Sequence, residues 1–431
     1  MNNIKFQIEQ HLQSATSIEN LFRHESSKLI SVLTRVFGPH NLQLAEDVMQ
    51  DSLLKALEHW KFHGMPKDPS AWLFAVARNK ALDVLRKEKY NRGFAKEISS
   101  LLKSEYSATA TLQEIISPYQ IEDEQLRMMF VCCHPSVAEE GQVALILKTL
   151  CGFSTAEIAH AFFTNEETIT KRLYRAKEQF RQQPIVFQLP AAEELQSRLE
   201  NALTAIYLIF NEGYHASHHT SIVREELIDE SLRLGKMLAD NRFTQMPSTF
   251  ALLALLCFNA ARVHSRTNES GELVQMREQD RTKWNAPLIE QGNFYLNRSS
   301  QGSEVTHYHV EAAIAYEHCC ATRYEQTNWA RIVELYDWLY QLKPLPVVQL
   351  NQLIALAEWK GVPFAFEKLK GSDLQRQLKD NSLLYATMAE WHTRQSNNVE
   401  AAQCLTDAIN QSKSENERRF YQHRLHVLNG N

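Results

Sequence analysis

Three features of the 431-residue sequence predict an all-α protein: glycine (13) and proline (12) are scarce, apolar residues recur mostly at helical spacing, and no run of alternating strands joined by hairpin turns is present. A chain of this length is expected to divide into two or three domains. The formal net charge of −5 is unevenly distributed, since residues 1–185 hold 22 Lys/Arg against 22 Asp/Glu and the remainder 24 against 29. The acidity therefore belongs to the C-terminal part. Basic residues concentrate at 78–103, eight against three acids, and at 168–181, five against one. Two separated basic patches suggest two separated contacts with nucleic acid.

The compartment is read from what the chain lacks. No apolar run approaches the roughly 18–20 residues of a membrane span, and the longest, Phe250 to Phe258, reads as a buried helix. The N-terminus, MNNIKFQIEQ, has no basic-then-apolar signal pattern. Seven cysteines, with no CxxC and with Cys132–Cys133 and Cys319–Cys320 as adjacent pairs, fit a reducing environment. A cytoplasmic protein without a membrane partner is expected.

After an N-terminal segment (1–22), residues 18–60 read as two helices. In the second, Met49, Leu53, Ala56, Leu57 and Trp60 share an inward face, while Asp47, Gln50, Asp51 and Leu54 share the other. A leucine facing outward among carboxylates is what a docking surface for a basic helical partner needs, although a lone stray leucine is the commoner occurrence. The polar loop KFHGMPKDP (61–69) follows, and Ser70 is placed to cap the next helix. In AWLFAVARNKALDVLRKEKY, Leu73, Ala77, Ala81 and Val84 pack inward. Trp72, Asn79, Asp83 and Arg86 form a separate stripe, with Lys80, Arg86, Lys87 and Lys89 supplying positive charge. Aromatic and amide groups among cations suit single-stranded DNA, whose bases are stacked and read on their edges. Residues 93–120 are rich in Ser, Thr and Ala and read as a linker, and 121–150 as supporting helices.

The stretch Gly152 to Arg181, GFSTAEIAHAFFTNEETITKRLYRAKEQFR, describes two short helices at a tight turn. Ser154 with Glu157 three residues later forms a capping box, and Ile158, Ala159 and Phe162 give the first helix its apolar stripe. Thr164 and Asn165 break the pattern. The second helix, 168–181, turns Ile169, Leu173 and Ala176 inward and Thr170, Lys171, Tyr174 and Arg175 outward. This is a helix-turn-helix reading with a recognition helix for a DNA major groove. A solvated basic helix in an α-hairpin is the plainer alternative.

In this order, AEDVMQDSLLKAL, WLFAVARNKALDVLRKEK, a loose linker and GFSTAEIAHAFFTNEETITKRLYRAKEQF closely resemble bacterial RNA polymerase sigma factors of the extracytoplasmic-function type. The resemblance implies a sigma-2 domain over 23–92 and a sigma-4 domain over 121–184. It further implies that Asp47, Gln50, Asp51 and Leu54 bind the clamp helices of the largest subunit of core polymerase. Phe62, His63, Lys67, Asn79, Lys80, Asp83, Arg86 and Lys87 would open and read the −10 element. Thr168, Thr170, Lys171, Arg172, Tyr174, Arg175 and Lys177 would read the −35 element of promoter DNA. The runs AIYLIFNEGYHAS (205–217), GELVQMREQDRTKWN (271–285), CCHP and NERRFYQHRL (416–425) resemble the subgroup with a large C-terminal extension related to tetratricopeptide repeats, here 190–431. Ala357-Glu358-Trp359 and Ala389-Glu390-Trp391 recur 32 residues apart, near that repeat length.

Asn211, Glu212, Tyr214, Asp280 and Arg281 are polar residues in apolar surroundings. They are expected to bond one another, and alternatively to line a site for a small ligand or regulatory protein. His215, His218, His219, His307, His309, His318, Cys319 and Cys320 invite a metal reading, but their spacing matches no ligand set, so no metal and no cofactor are expected. Buried cysteine is the favoured reading of Cys132-Cys133-His134. No nucleophile–base constellation, Walker loop or dinucleotide motif is present, so no enzyme is expected. The runner-up to a sigma factor is a freestanding helix-turn-helix regulator with a helical sensor domain.

Overall fold

The structure, a computed structural model, describes residues 21–90, 118–162, 164–214, 224–268, 272–412 and 415–430. Among them the regular elements are helices, apart from one isolated antiparallel bridge between Thr267 and Leu273. The expected N-terminal segment and the expected linker lie almost wholly outside the described residues. The chain forms two compact units, the first ending at Ala205 and the second beginning at Ile206. No helix of the described residues is long and apolar enough to cross a membrane.

The first unit is built around helix α1 (21–37). From Glu25 to Phe37 only Lys28 and Arg35 of this helix escape full burial, so its solvent face is a narrow stripe and its other polar groups must find partners inside. Ser27 and Ser31 donate to the carbonyls of His24 and Ser27, both at 2.9 Å. Gly38, at φ +83°, stops the helix, with its N–H on the Thr34 carbonyl at 2.8 Å and Pro39 following.

On one side of α1 lie α2 (Leu42–His63) and α3 (Pro69–Tyr90). Phe22 meets Trp60 at 5.5 Å, and Glu25 accepts Ser70 Oγ at 2.6 Å. Ser70 is thus occupied by α1, and the N-terminus of α3 is capped instead by Asp68, which accepts the Ala71 N–H at 2.9 Å. Helix α2 also runs three residues into the expected loop, stopping at Gly64, whose N–H bonds the Trp60 carbonyl. Leu73, Ala77 and Ala81 are buried as their spacing predicts, together with Phe74 and Val76.

The first unit continues with α4 (Pro118–Cys132), α5 (Glu139–Thr149), α6 (Thr155–Ala161) and α7 (Glu166–Gln182), and α8 (Ala192–Tyr214) spans the boundary between the units. Gln125 of α4 donates to Ser27 Oγ at 3.0 Å. Arg23 of α1 reaches Glu157 of α6 at 2.6 Å and lies over the Phe153 ring at 4.7 Å. Cys132 and Cys133 are fully buried, and burial pushes the Cys132 thiol up to about 12.

In the second unit α9 (Glu225–Asp240), the almost wholly buried α10 (Pro247–Ala260), α11 (Ala286–Ser299) and α12 (His307–Cys320) precede a run of paired helices. These are α13 (Trp329–Leu342), α14 (Pro346–Lys360), α15 (Val362–Lys370), a single turn at Leu374–Gln377, α16 (Ser382–Arg394), α17 (Asn398–Gln411) and α18 (Glu415–Leu428). Helix α14 gives Val348 and Ala355 to one apolar layer and Leu350, Leu353 and Ala357 to the next. Helix α16 likewise gives Leu384 and Trp391 to that second layer and Ala389 to a third. Passing the core from layer to layer through two-faced helices is the construction of a solenoid. The Ala-Glu-Trp recurrence is only partly structural: Ala357 and Ala389 are both buried, but Trp391 packs against Phe366 at 5.0 Å whereas Trp359 is exposed. Both glutamates bind Arg394, Glu358 at 2.7 Å and Glu390 at 3.0 Å.

Two outcomes are expected from the first unit. A methyl on Gly152, at φ +68°, would stand 2.7 Å from the Arg23 carbonyl oxygen, whereas one on Gly64, at φ +76°, meets nothing within 4 Å. Gly64→Ala should therefore lose only the backbone contribution of about 1–2 kcal/mol, and Gly152→Ala distinctly more in urea unfolding. Equal losses would mean that the α1 approach does not constrain position 152. The second outcome concerns acid. Burial alone would raise the Glu157 carboxyl, but the Ser154 backbone, the Ser154 hydroxyl and Arg23 hold it below 4.5. A depressed pKa stabilises above the unfolded value and is lost as pH falls through the folded one. Glu157→Gln should lower the urea midpoint at neutral pH and shrink the difference from the parent below about pH 4.

Candidate nucleic-acid interface

Three exposed surfaces of the first unit carry the residues singled out by sequence. On α2, Asp47, Gln50, Asp51 and Leu54 all face solvent, Leu54 at 57 % exposure. Leu57, expected to face inward, is 48 % exposed and lies one helical turn further along the same surface. Its place in the inward stripe is taken by Ser52, buried with its hydroxyl on the Val48 carbonyl at 2.7 Å. A pair of leucines at i, i+3 flanked by Asp47 and Asp51 is a more developed apolar anchor than the single leucine read from sequence. The i, i+3 spacing was the signal that could have shown it.

The second surface joins the end of α2 to α3. Phe62 is 78 % exposed and His63 stacks on His59 at 4.3 Å, both on the last turn of α2. Lys67 is exposed in the connecting loop. Trp72 is half-buried, 5.6 Å from Trp60 and 5.2 Å from His59, so its ring is already largely engaged by aromatic neighbours. Asn79, Asp83 and Arg86 are exposed on α3, with Arg86 on Asp83 at 3.2 Å. Lys80 binds Asp51 at 2.9 Å, tying this surface to the one on α2. Lys87 lies on α3, and its side chain is outside the described ones.

The third surface is the hairpin of α6 and α7. Ser154 and Glu157 form the capping box, with Ser154 N–H on Glu157 at 2.7 Å and Glu157 N–H on Ser154 Oγ at 3.1 Å. Asn165 caps α7 by accepting the Thr168 N–H at 2.8 Å. Ile169, Leu173, Ala176 and Phe180 are buried, the heptad-like stripe that seats α7 on α5 and α6. Thr170, Lys171, Tyr174 and Arg175 face outward, Tyr174 at 62 % exposure. Lys171 meets Glu167 in an open pair at 2.6 Å, and Arg172, half-buried, meets Glu140 at 2.7 Å. Lys177 is different. It is nearly buried and donates to Glu46 at 2.5 Å and Gln43 at 3.0 Å on α2. The basic helix is thereby fastened to the acidic one, a pairing that linear spacing does not reveal across 131 residues.

The five polar residues of the second unit serve separate tasks. Asn211 bonds Tyr207, and Glu212, pushed up to about 7 by burial, lies against Arg224. Tyr214 is buried with the Arg266 guanidinium 3.7 Å from its ring centre. Asp280 is an exposed cap, accepting the Thr282 N–H at 3.0 Å. Arg281 donates to the carbonyls of His318 at 2.7 Å and Ala321 at 2.6 Å, closing the end of α12. The expected mutual network is therefore not formed. Among the described residues no three His, Cys, Asp or Glu side chains could hold a metal ion, and His215, His218 and His219 lie outside them.

Known families match the first two of these surfaces and part of the second unit. Residues 21–90 match the family described as Sigma-70 region 2, and residues 198–300 match a family of unknown function, DUF6596. The chain is 35 % identical over 332 residues to an uncharacterized protein of Rhizobium meliloti (strain 1021), covering 77 % of each. It is 29 % identical over 133 residues to the ECF RNA polymerase sigma factor SigL of Mycobacterium tuberculosis, covering 31 % of this chain and 70 % of that one. No solved structure matches. The region 2 match spans α1 to α3, the elements that a freestanding helix-turn-helix regulator would not need, and with the likeness to SigL it places this chain in the sigma-70 family of RNA polymerase sigma factors, among those of the extracytoplasmic-function type with a large helical C-terminal extension.

Proposed function

We propose a division of this sigma factor's work among the surfaces above. The observation that carries it is the exposed Leu54–Leu57 pair beside Asp47, Gln50 and Asp51 on α2. A monomeric surface has no use for two leucines ringed by carboxylates, whereas a basic helical pair, such as the clamp helices of the largest polymerase subunit, supplies both apolar cover and opposite charge. The rim of α2 and α3 then faces the −10 element. Phe62 and His63 stack on an unpaired base, Asn79 and Asp83 offer edge hydrogen bonds, and Lys67, Lys80, Arg86 and Lys87 neutralise the strand. Residues 121–184 act as the sigma-4 domain. Thr170, Lys171 and Tyr174 project to base edges of the −35 element, while Thr168, Arg172 and Arg175 meet phosphates, and Lys177 joins them only when its bond to Glu46 opens. Residues 190–431 modulate this activity through a regulatory protein or a small ligand, and the chain works in the cytoplasm without chemistry of its own.

Run-off transcription with purified core polymerase tests the whole reading, because transcript from a cognate promoter should depend on this protein. Leu54→Asp should weaken core binding at least about tenfold, roughly 1.4 kcal/mol, with unchanged circular dichroism. Unaltered core affinity by fluorescence anisotropy would remove α2 as the docking surface.

Base and phosphate contacts should separate in a second measurement. Lys171→Ala should relax discrimination among −35 variants by about 1–3 kcal/mol. Arg175→Ala should weaken every duplex alike and reduce the salt slope by about one unit. The same uniform loss from both substitutions would refute the groove assignment.

A further inference from the structure

The second unit contains a solvent-open cavity of about 560 Å³, between the segment 273–279 and helices α14, α16 and α18. Its size lies in the range of small-molecule sites. Its wall contains Arg262, Arg266, Arg277 and Arg394 but only two carboxylates, Glu358 and Glu390. Both carboxylates are committed. Glu358 holds Arg277 and Arg394, each at 2.7 Å, and Glu390 holds Arg394 at 3.0 Å and also Arg424. Two guanidinium groups are left over.

Of these two, Arg262 is buried and Arg266 half-buried. Arg262 is only 7 % exposed; its Nε has no hydrogen-bond partner and its sole polar side-chain bond among the described residues is a long 3.5 Å one to the Gln279 amide oxygen. Its guanidinium otherwise faces the Trp284 ring, 5.3 Å away. Arg266 is held against the Tyr214 ring and donates to the Tyr214 backbone carbonyl. Among the described residues neither forms an ion pair. Arg281, the nearest further cation, spends its donors on backbone carbonyls. The nearby His318 is pushed down to about 3 by burial and by Arg262 and Arg281, so it stays neutral. Asp280, next in sequence, is turned outward to Thr282. A buried guanidinium without a counter-charge is among the least favourable groups a fold can retain. Here it borders a second cavity too, of about 340 Å³, lined by Lys343 and Glu311. That pair is internally matched, with Lys343 3.6 Å from Glu311.

We propose that Arg262 and Arg266 form the anion-binding end of a small-molecule site in this cavity, taking a carboxylate- or phosphate-bearing ligand whose apolar or aromatic body lies against Trp391 and Tyr421. The ligand supplies a negative charge that the described residues do not bring to them, and the ordered pairs Arg277–Glu358 and Glu390–Arg394 fix the wall around it. This deepens the regulatory role proposed for residues 190–431 and rests on it only for the physiological meaning; binding itself requires neither polymerase nor DNA.

The test uses the full-length protein and three buffers of equal ionic strength, containing sodium chloride, inorganic phosphate or citrate. Thermal unfolding and isothermal titration are read together. Binding to the folded state raises the melting temperature saturably, and a rise with phosphate, citrate or both identifies which anion chemistry the site accepts. Arg262→Gln should reduce the affinity at least tenfold, and in chloride it should melt no lower than the parent, since it removes an unpaired buried cation. Arg266→Gln should weaken binding similarly and serves if Arg262→Gln fails to fold. Arg331→Gln, an exposed arginine paired with Glu334 on α13, should bind as the parent does. No saturable effect of either anion beyond chloride, or equal affinity in the parent and both cavity variants, overturns the proposal. Because no transcription is measured, failure here leaves the promoter and core assignments standing, and their failure leaves this site untouched.

Discussion

A helix with only a narrow solvent face has little freedom to be indifferent to its neighbours. Helix α1 is buried from Glu25 to Phe37 apart from Lys28 and Arg35, so both of its sides must be matched. Glu25 receives Ser70 from α3, Ser27 receives Gln125 from α4, and Arg23 closes on Glu157 of α6. Each bond crosses between α1 and a different helix. The Gly152 backbone fits against the Arg23 carbonyl only because it lacks a side chain. The positions of α3, of α4 and of the hairpin of α6 and α7 within the first unit are therefore tied to how one helix satisfies its polar groups.

How much of this could be read beforehand depended on the range of the interaction concerned. The helical class, the Ser154–Glu157 capping box and the inward stripe Ile169, Leu173, Ala176 rest on neighbours within a turn or two, and spacing alone shows them. Ser70 was misjudged as a cap because an equally good acceptor, Asp68, stood two residues earlier and Glu25 competed from 45 residues away. Leu57 was misplaced because a strict stripe ignores the curvature of the surface it packs on; a small buried serine sufficed where a leucine was expected. The mutual network imagined for Asn211, Glu212, Tyr214, Asp280 and Arg281 dissolved into local caps and helix ends. Arg262 was passed over altogether, since nothing in a linear sequence distinguishes an arginine that lacks a carboxylate from one that has it.

The second unit makes a complementary point about repeats. Glu358 and Glu390 keep equivalent roles on α14 and α16, both gripping Arg394, while Trp359 and Trp391 do not keep theirs. A solenoid layer conserves whatever its neighbour needs. The ion pairs face the cavity and are needed by two helices at once, whereas a tryptophan is useful only where the next layer offers apolar cover, as Phe366 does for Trp391.

The bond from Lys177 to Glu46 has a consequence for how DNA binding must be counted. A lysine that is nearly buried and already neutralised by a carboxylate at 2.5 Å displaces no condensed cation when the duplex arrives. Only groups that bring uncompensated charge to the phosphates contribute to the ionic-strength dependence of affinity. On the proposed assignment Lys177 is silent in such a plot while that bond holds, and the exposed Arg175 sets its gradient. If α7 parts from α2 when the factor spans a promoter, one further cation joins the count. The gradient then steepens by about one unit, making the ionic-strength dependence of DNA affinity a gauge of whether the two helices are together or apart.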